Sequence, residues 1–416
     1  MADFKSGPVK KNMTTSPFLR TFLVLGGVTF LGPLAMDAAL PAFGAMQAGL
    51  DASAGAIKMT LAAVTAGMAA GQVFAGALAD RFGRRPILNL GLALFTVAAF
   101  AIAFMDSAAP VIALRFVQGL GVSGVMIASR AVVRDQFDVA TSARLYAYLL
   151  VVVGSAAVIG PALFGLITEN FGWRPIFFAQ AAISGAGWLV IALAFRESLE
   201  TPDPGALRLF GLFAAWRGII ADRYFAVHLT VGIGTYMVLF AILGGIAPVM
   251  MAVLGQSPGV FGTQFAAVMS ANLIGAALVG PALKYLGMRG LAAAGAASMG
   301  LGGGAFALFV ATGQVSAAAL LGPCFIALLG FGLINPLLIA GALTNFKAMA
   351  GRAGALFGLI SLTIGAATMF ALGAADDGTA RPMAVLLACG GGGAVVAYLV
   401  LMRPLVPARG GGGRIS

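Results

Sequence analysis

Two charged residues, Asp37 and Arg115, stand inside long apolar runs. Asp37 follows LRTFLVLGGVTFLGPLAM, and Arg115 lies in AAPVIALRFVQGLGVSG. A carboxylate in hydrocarbon is expensive and tends to mark an ion or substrate path, because it can take up and release a proton there. A guanidinium at such a depth needs a partner or water, and Asp37 can be that partner. Each residue also has a plainer reading. Asp37, with Pro41 close behind it, can cap or anchor the end of its run. Arg115 can snorkel to the membrane surface. Other chemistry has little to stand on. There is one histidine, His228, and no serine nucleophile constellation. Cys324 and Cys389 both fall in apolar runs without metal spacing, and the chain has no nucleotide-binding P-loop. The expectation is no metal, no cofactor and no enzymatic activity.

The elements that must position these two residues follow from composition. Of 416 residues, 60% are hydrophobic and 9% charged, and the mean hydropathy is +1.00. Soluble domains carry roughly 25% charge, so this chain's solvent is lipid. The 59 glycines suit helices that approach closely in a membrane rather than disorder. Apolar stretches of spanning length predict twelve transmembrane helices, near 18–41, 56–79, 87–105, 108–130, 143–167, 175–195, 224–248, 261–283, 290–311, 317–343, 353–374 and 383–403. The basic N-terminal stretch resembles a secretory signal, but the run behind it is too long and is read as a retained first span.

The net charge of +11 is spread over short loops, which excludes nucleic acid as the natural partner. With both termini cytoplasmic, 21 Lys and Arg fall in inner segments and 3 in outer ones. That split predicts a multi-pass protein of the cytoplasmic (inner) membrane with both termini inside.

A basic turn, GALADRFGRRP at 76–86, sits between the second and third spans. It holds Gly76, Asp80, Arg81, Gly83, Arg84 and Arg85. A fainter copy, GPALKYLGMRG at 280–290, lies at an offset of 204 and matches Gly76, Gly83 and Arg85 with Gly280, Gly287 and Arg289. The copy has Lys284 where the first has Asp80. A polar stretch at 196–223 divides the chain, and its part LFGLFAAWRGII reads as an amphipathic surface helix. The organisation predicted is a tail at 1–17, a six-helix half at 18–195, a linker at 196–223, a second six-helix half at 224–403 and a tail at 404–416. Two halves related by a repeat suit a transporter that rocks about a central site.

GALADRFGRRP resembles the signature loop of the major facilitator superfamily. Three stretches narrow the resemblance to its twelve-span drug:proton antiporters, in the bicyclomycin and chloramphenicol resistance branch. LGPLAMDAALPAF, with Asp37, is similar to that branch's first span. LRFVQGLGVSG, with Arg115, Gln118 and Gly119, resembles the superfamily's second motif. GSAAVIGPALFG, with Gly154, Gly160, Pro161 and Gly165, resembles the antiporter motif, although Phe164 stands where a second glycine is usual.

The resemblance implies a proton-coupled exporter of small lipophilic compounds that works by alternating access, as a monomer, with the bilayer, protons and a small-molecule substrate as its partners. Asp37 and Arg115 would couple proton to substrate. Glycines and Pro161 in the fifth span would let that helix bend and seal the halves. Asp80 would latch the inner face by pairing with an arginine, with Arg134 the leading candidate. Gln118, Tyr236, Met237, Phe240, Asn272 and Asn335 are candidates for the cavity wall, and His228 is read as interfacial. Two further readings stay open: a dedicated transporter of one metabolite, such as an amino-acid derivative, sugar or siderophore, and a non-transporting membrane sensor.

Overall fold

The computed structural model describes residues 15–206, 216–346 and 349–405. The predicted tails therefore fall largely outside the described residues, as does Lys347. Most of the predicted surface helix over LFGLFAAWRGII does too, although residues 216–221 are helical.

The first span is broken into α1 (Thr15–Thr29), α2 (Leu31–Met36), a 3-10 turn (Leu40–Ala42) and α3 (Phe43–Gly49). Then follow α4 (Ala54–Phe82), α5 (Arg84–Ile102), α6 (Ala108–Gln136), α7 (Val139–Phe171) and α8 (Arg174–Ala194). The rest of the chain forms α9 (Arg223–Pro248), α10 (Pro258–Ala311), α11 (Ala317–Ala342), α12 (Ala350–Ala374) and α13 (Arg381–Ala397). Local sequence sets many of the starts. Ser53, Asp138, Asp222, Ser257 and Ser316 each accept a hydrogen bond from a backbone N–H in the first turn of the helix they precede.

The spans predicted at 261–283 and 290–311 are joined in α10 without an intervening loop. A straight helix of 54 residues would reach about 81 Å at 1.5 Å per residue. That is far beyond a hydrocarbon core of about 30 Å. Gly287 takes a left-handed φ of 65° and turns the chain there, so α10 supplies two crossings. With that division the described residues make twelve crossings.

The chain is an all-α membrane protein of two six-helix halves. In the first half α6 packs between α4 and α5, and α5 carries α8. In the second, α10 carries α11 and α13, and α9 lies against α11, α12 and α13. The halves meet along two seams, α4 with α12 and α7 with α10. Glycine lets the helices come this close: a side chain on Gly119 of α6 would strike the Val64 carbonyl of α4. Large apolar side chains such as Phe171, Leu193 and Leu301 remain exposed on the outside, where lipid rather than water covers them.

Candidate functional site

The break in the first span is written in its prolines. In a continuous helix residue 41 would donate to the carbonyl of residue 37, but Pro41 has no N–H. Leu40 donates to the Asp37 carbonyl instead, at 3.2 Å, and tightens the chain into the 3-10 turn. The span predicted at 18–41 therefore runs on to Gly49 and is interrupted by this turn. Asp37 ends α2, its N–H bonded to the Pro33 carbonyl at 2.7 Å. The residue is 5% exposed. Its carboxylate has no hydrogen bond or ion pair among the described residues.

Arg115 is completely buried. Its Nη1 donates to Gln118 Oε1 at 2.8 Å, and the guanidinium lies 5.8 Å from the centre of the Phe177 ring. Its Nε and Nη2 have no hydrogen-bond partner among the described residues. The snorkelling reading is therefore wrong, because the side chain stays inside the bundle. No ion pair joins Arg115 to Asp37. The two are linked indirectly. Gln118 Nε2 donates to Gln180 Oε1 at 2.8 Å, and Gln180 Nε2 donates to the Leu34 carbonyl at 2.9 Å, one turn before Asp37. Gln180 was not among the sequence candidates. Its signal was visible nonetheless, as a lone amide in the run RPIFFAQAAISGAGW.

The basic turn is clamped to its own half. Arg84 is 3% exposed and bonds Asp80 at 2.8 Å, Asp135 at 2.9 Å and the Ala79 carbonyl at 2.6 Å. The expected Asp80–Arg134 pair is not formed in this arrangement; Arg84, just past the turn at Gly83, holds Asp80 instead. Arg81 donates to the Pro204 carbonyl and Arg85 to the Ala192 carbonyl, each at 2.6 Å. Gly83 needs its φ of 105°, and a side chain there would strike the Glu197 carboxylate. Glu197, another residue that sequence reading missed, accepts from the N–H groups of Arg84 and Arg85 at 2.9 and 3.0 Å.

Partial burial works to raise the pKa of Glu197. The backbone N–H groups of Leu199, Arg84, Arg85 and Ser198 outweigh it, and the net direction is down. A carboxylate depressed in the folded state contributes stability above its unfolded pKa, and that contribution is lost as pH falls through the folded value. Glu197→Gln is expected to lower the melting temperature in detergent at neutral pH, and the difference should shrink near pH 3, below the unfolded value of about 4.3. An equal loss at both pH values would contradict this.

The two ends of the bundle differ. At the end carrying Gly83, a cavity of about 830 Å³ opens between the halves, and Gln72, Asp80, Arg130, Arg134, Tyr146 and Arg352 contribute to its wall. At the opposite end the halves are shut. Lys58 Nζ of α4 meets Asp376 Oδ1, just after α12, at 2.7 Å, with side chains only 7% and 12% exposed. Along the other seam Glu169 of α7 accepts from the Gly259 N–H of α10 at 3.1 Å. Gly165 abuts the Pro258 carbonyl, Gly262 abuts the Pro161 carbonyl, and Gly154 abuts Leu273. Gly160 does not belong to that seam, since a side chain there would meet open space.

A profile of the Major Facilitator Superfamily matches residues 25–371. The chain belongs to the major facilitator superfamily. Its relatives include the uncharacterized MFS-type transporter YdgK of Bacillus subtilis, 27% identical over 90% of this chain and 94% of that protein. The chloramphenicol resistance protein of Pseudomonas aeruginosa is 28% identical over 81% of this chain and 80% of its own length. A bicyclomycin resistance protein homolog of Haemophilus influenzae is 34% identical, over 46% of this chain and 47% of its own. Among solved structures, a D-xylose–proton symporter superposes with a TM-score of 0.73 at 17% identity, covering 94% of this chain and 98% of that one. At that identity the likeness is one of fold.

Within this major facilitator fold, the remaining candidates lie away from that cavity. Gln118, Tyr236, Met237, Phe240, Asn272 and Asn335 are all absent from the described walls of the cavity. Tyr236 donates to Asn335 Oδ1 at 2.9 Å and meets Phe331 and Phe357 edge to face. Phe240 fills the space left by Gly365, Met237 lies against Gly390 of α13, and the backbone of Asn272 abuts Gly332. His228 is 4% exposed, bonded to the Tyr224 carbonyl at 2.7 Å and wedged against Gly341 near the start of α9, so it is buried against neighbouring helices.

Proposed function

We propose that this transporter is a proton-coupled antiporter that exports small lipophilic compounds across the cytoplasmic membrane, with the Gly83 end and both termini on the cytoplasmic side. One observation carries the reading. A carboxylate without a hydrogen-bond partner is buried at a break in a membrane span, one turn from a carbonyl linked through two amides to a fully buried arginine. Such a carboxylate is held neutral by a proton or by a cation that comes to it. The resistance proteins among its relatives support a drug as cargo.

In this mechanism the arrangement described above faces the cytoplasm. Substrate enters the 830 Å³ cavity and favours loss of the proton from Asp37. Arg115, whose Nε and Nη2 have no hydrogen-bond partner among the described residues, then supplies the positive partner that the carboxylate needs. Opening to the outside breaks the Lys58–Asp376 pair and parts the glycine seams, while Asp80 and Arg134 become free to latch the inner end. Each proton returning down 100 mV supplies about 2.3 kcal/mol.

The test is export of chloramphenicol or bicyclomycin from cells that express the chain. Efflux should collapse with a protonophore while cellular ATP is held constant. Efflux that follows ATP and ignores the protonophore would overturn the coupling. Retention of both drugs equal to that of cells lacking the chain would overturn the cargo class.

A further inference from the structure

Gln180 lies about two turns into α8 and is completely buried. The chain of bonds through it has a fixed polarity. The Leu34 carbonyl can only accept and the Arg115 guanidinium can only donate. Gln180 must therefore turn its NH2 to Leu34 and its oxygen to Gln118, and Gln118 must turn its oxygen to Arg115. The Leu34 carbonyl is available because α2 stops at Met36: no backbone N–H reaches it among the described residues. Gln180 thus satisfies a carbonyl orphaned by the same break at which Asp37 is buried. The turn of α8 that carries it is anchored in turn. Ser184 Oγ donates to the Gln180 carbonyl at 2.7 Å and shares a 2.8 Å hydrogen bond with Thr96 of α5.

From these contacts we infer that Gln180 is a positioning residue for the coupling pair: it caps the broken first span beside Asp37 and, through Gln118, fixes Arg115, so that neither moves without the other. The inference rests on the proton-coupled reading above. Arg115 is the charge deep in the helices packed on the break. The others lie toward helix ends: Lys58, Asp80 and Arg81 of α4, Arg130, Arg134 and Asp135 of α6, Arg144 and Glu169 of α7, Arg174 of α8, Arg223 and His228 of α9. On α10, Lys284, Tyr285 and Arg289 flank the Gly287 bend, and Tyr236 of α9 is titratable but bonded to Asn335. With the tether cut, Arg115 is free to approach Asp37 and favour its ionised form.

The test uses the full chain in liposomes, without Cys324 and Cys389, and spin labels at Ser107 and Gln314, one on each half at the end closed by Lys58 and Asp376. The distance between labels is followed from about pH 5 to pH 9, across the range a coupling carboxylate must titrate to work. The native sequence should show a pH-dependent change in distance. Gln180→Met should move its midpoint to lower pH by at least about threefold in proton concentration. Gln180→Asn, one methylene too short to span both partners, should move it the same way. An unmoved midpoint in both Gln180 variants, with the native response intact, overturns the inference alone. A native chain indifferent to pH overturns the coupling reading and the inference with it. Failure of both variants to accumulate in the membrane assigns Gln180 to folding and also overturns it.

Discussion

Asp37→Asn is expected to abolish uphill export while leaving the protein in the membrane. Asparagine keeps the shape of the side chain and removes the titration. Residue 37 already sits as a buried helix end whose N–H is satisfied by Pro33, so the backbone has no reason to rearrange. What is lost is the exchange of proton for substrate. One proton at 100 mV is worth about 2.3 kcal/mol, a factor of about 50 in the concentration ratio that export can sustain. Downhill exchange of chloramphenicol between loaded vesicles and buffer should persist, because it needs only the rocking of the halves. The measurement is accumulation against a gradient, paired with counterflow, in vesicles containing equal amounts of native and variant protein. Undiminished uphill accumulation in the variant removes Asp37 from the mechanism. Loss of both uphill export and counterflow makes its role structural.

The second large effect is expected at the closed end. Lys58 and Asp376 are 318 residues apart in sequence and form a largely buried ion pair between the halves. Removing one partner strands a charge, which costs about 3–5 kcal/mol when the pair is fully buried. Here the side chains retain 7% and 12% exposure at the end of the bundle, so a stranded group can turn to water. A loss of about 1–3 kcal/mol is the sounder expectation, and it falls on the closed arrangement alone. The population should therefore shift toward opening at that end by roughly 5- to 150-fold in Lys58→Met and Asp376→Asn. The double exchange Lys58→Asp with Asp376→Lys should restore closure. The Ser107–Gln314 label distance reads this directly. A distance distribution in the single variants that matches the native one would show that the glycine seams alone keep the end shut.

Those seams have their own expected signature. Gly165→Val should block closure, since its side chain would have to occupy the space of the Pro258 carbonyl. Gly160→Val, five residues earlier and facing open space, should be tolerated. Chloramphenicol efflux at matched expression separates the two, and equal behaviour would contradict the assignment of the seam.

The contrast between Gly160 and Gly165 shows where sequence reading stops. Both belong to one motif-like stretch, and nothing local distinguishes them. The chain by itself determined the twelve crossings, the basic turn at 76–86 with its copy at 280–290, and the oddity of Asp37 and Arg115. Those features are sums over neighbouring residues: hydropathy, charge and spacing are present in the chain before it folds. Pro41 even carried the break at Asp37, which a reading by hydropathy alone smoothed into one helix. Only the tertiary structure decided the partners. Arg84, not Arg134, holds Asp80, because the turn at Gly83 brings the Arg84 side chain back onto the end of α4. Arg115 is tied to Gln118 and, across 62 and then 146 residues, to Gln180 and Leu34, rather than to Asp37. Lys58 found Asp376 only when α4 and α12 came side by side. Which buried polar group meets which depends on helix rotation and separation, set by the close contacts of the whole bundle. The run of residues around each one therefore reveals that a partner is required, and the packing alone determines its identity.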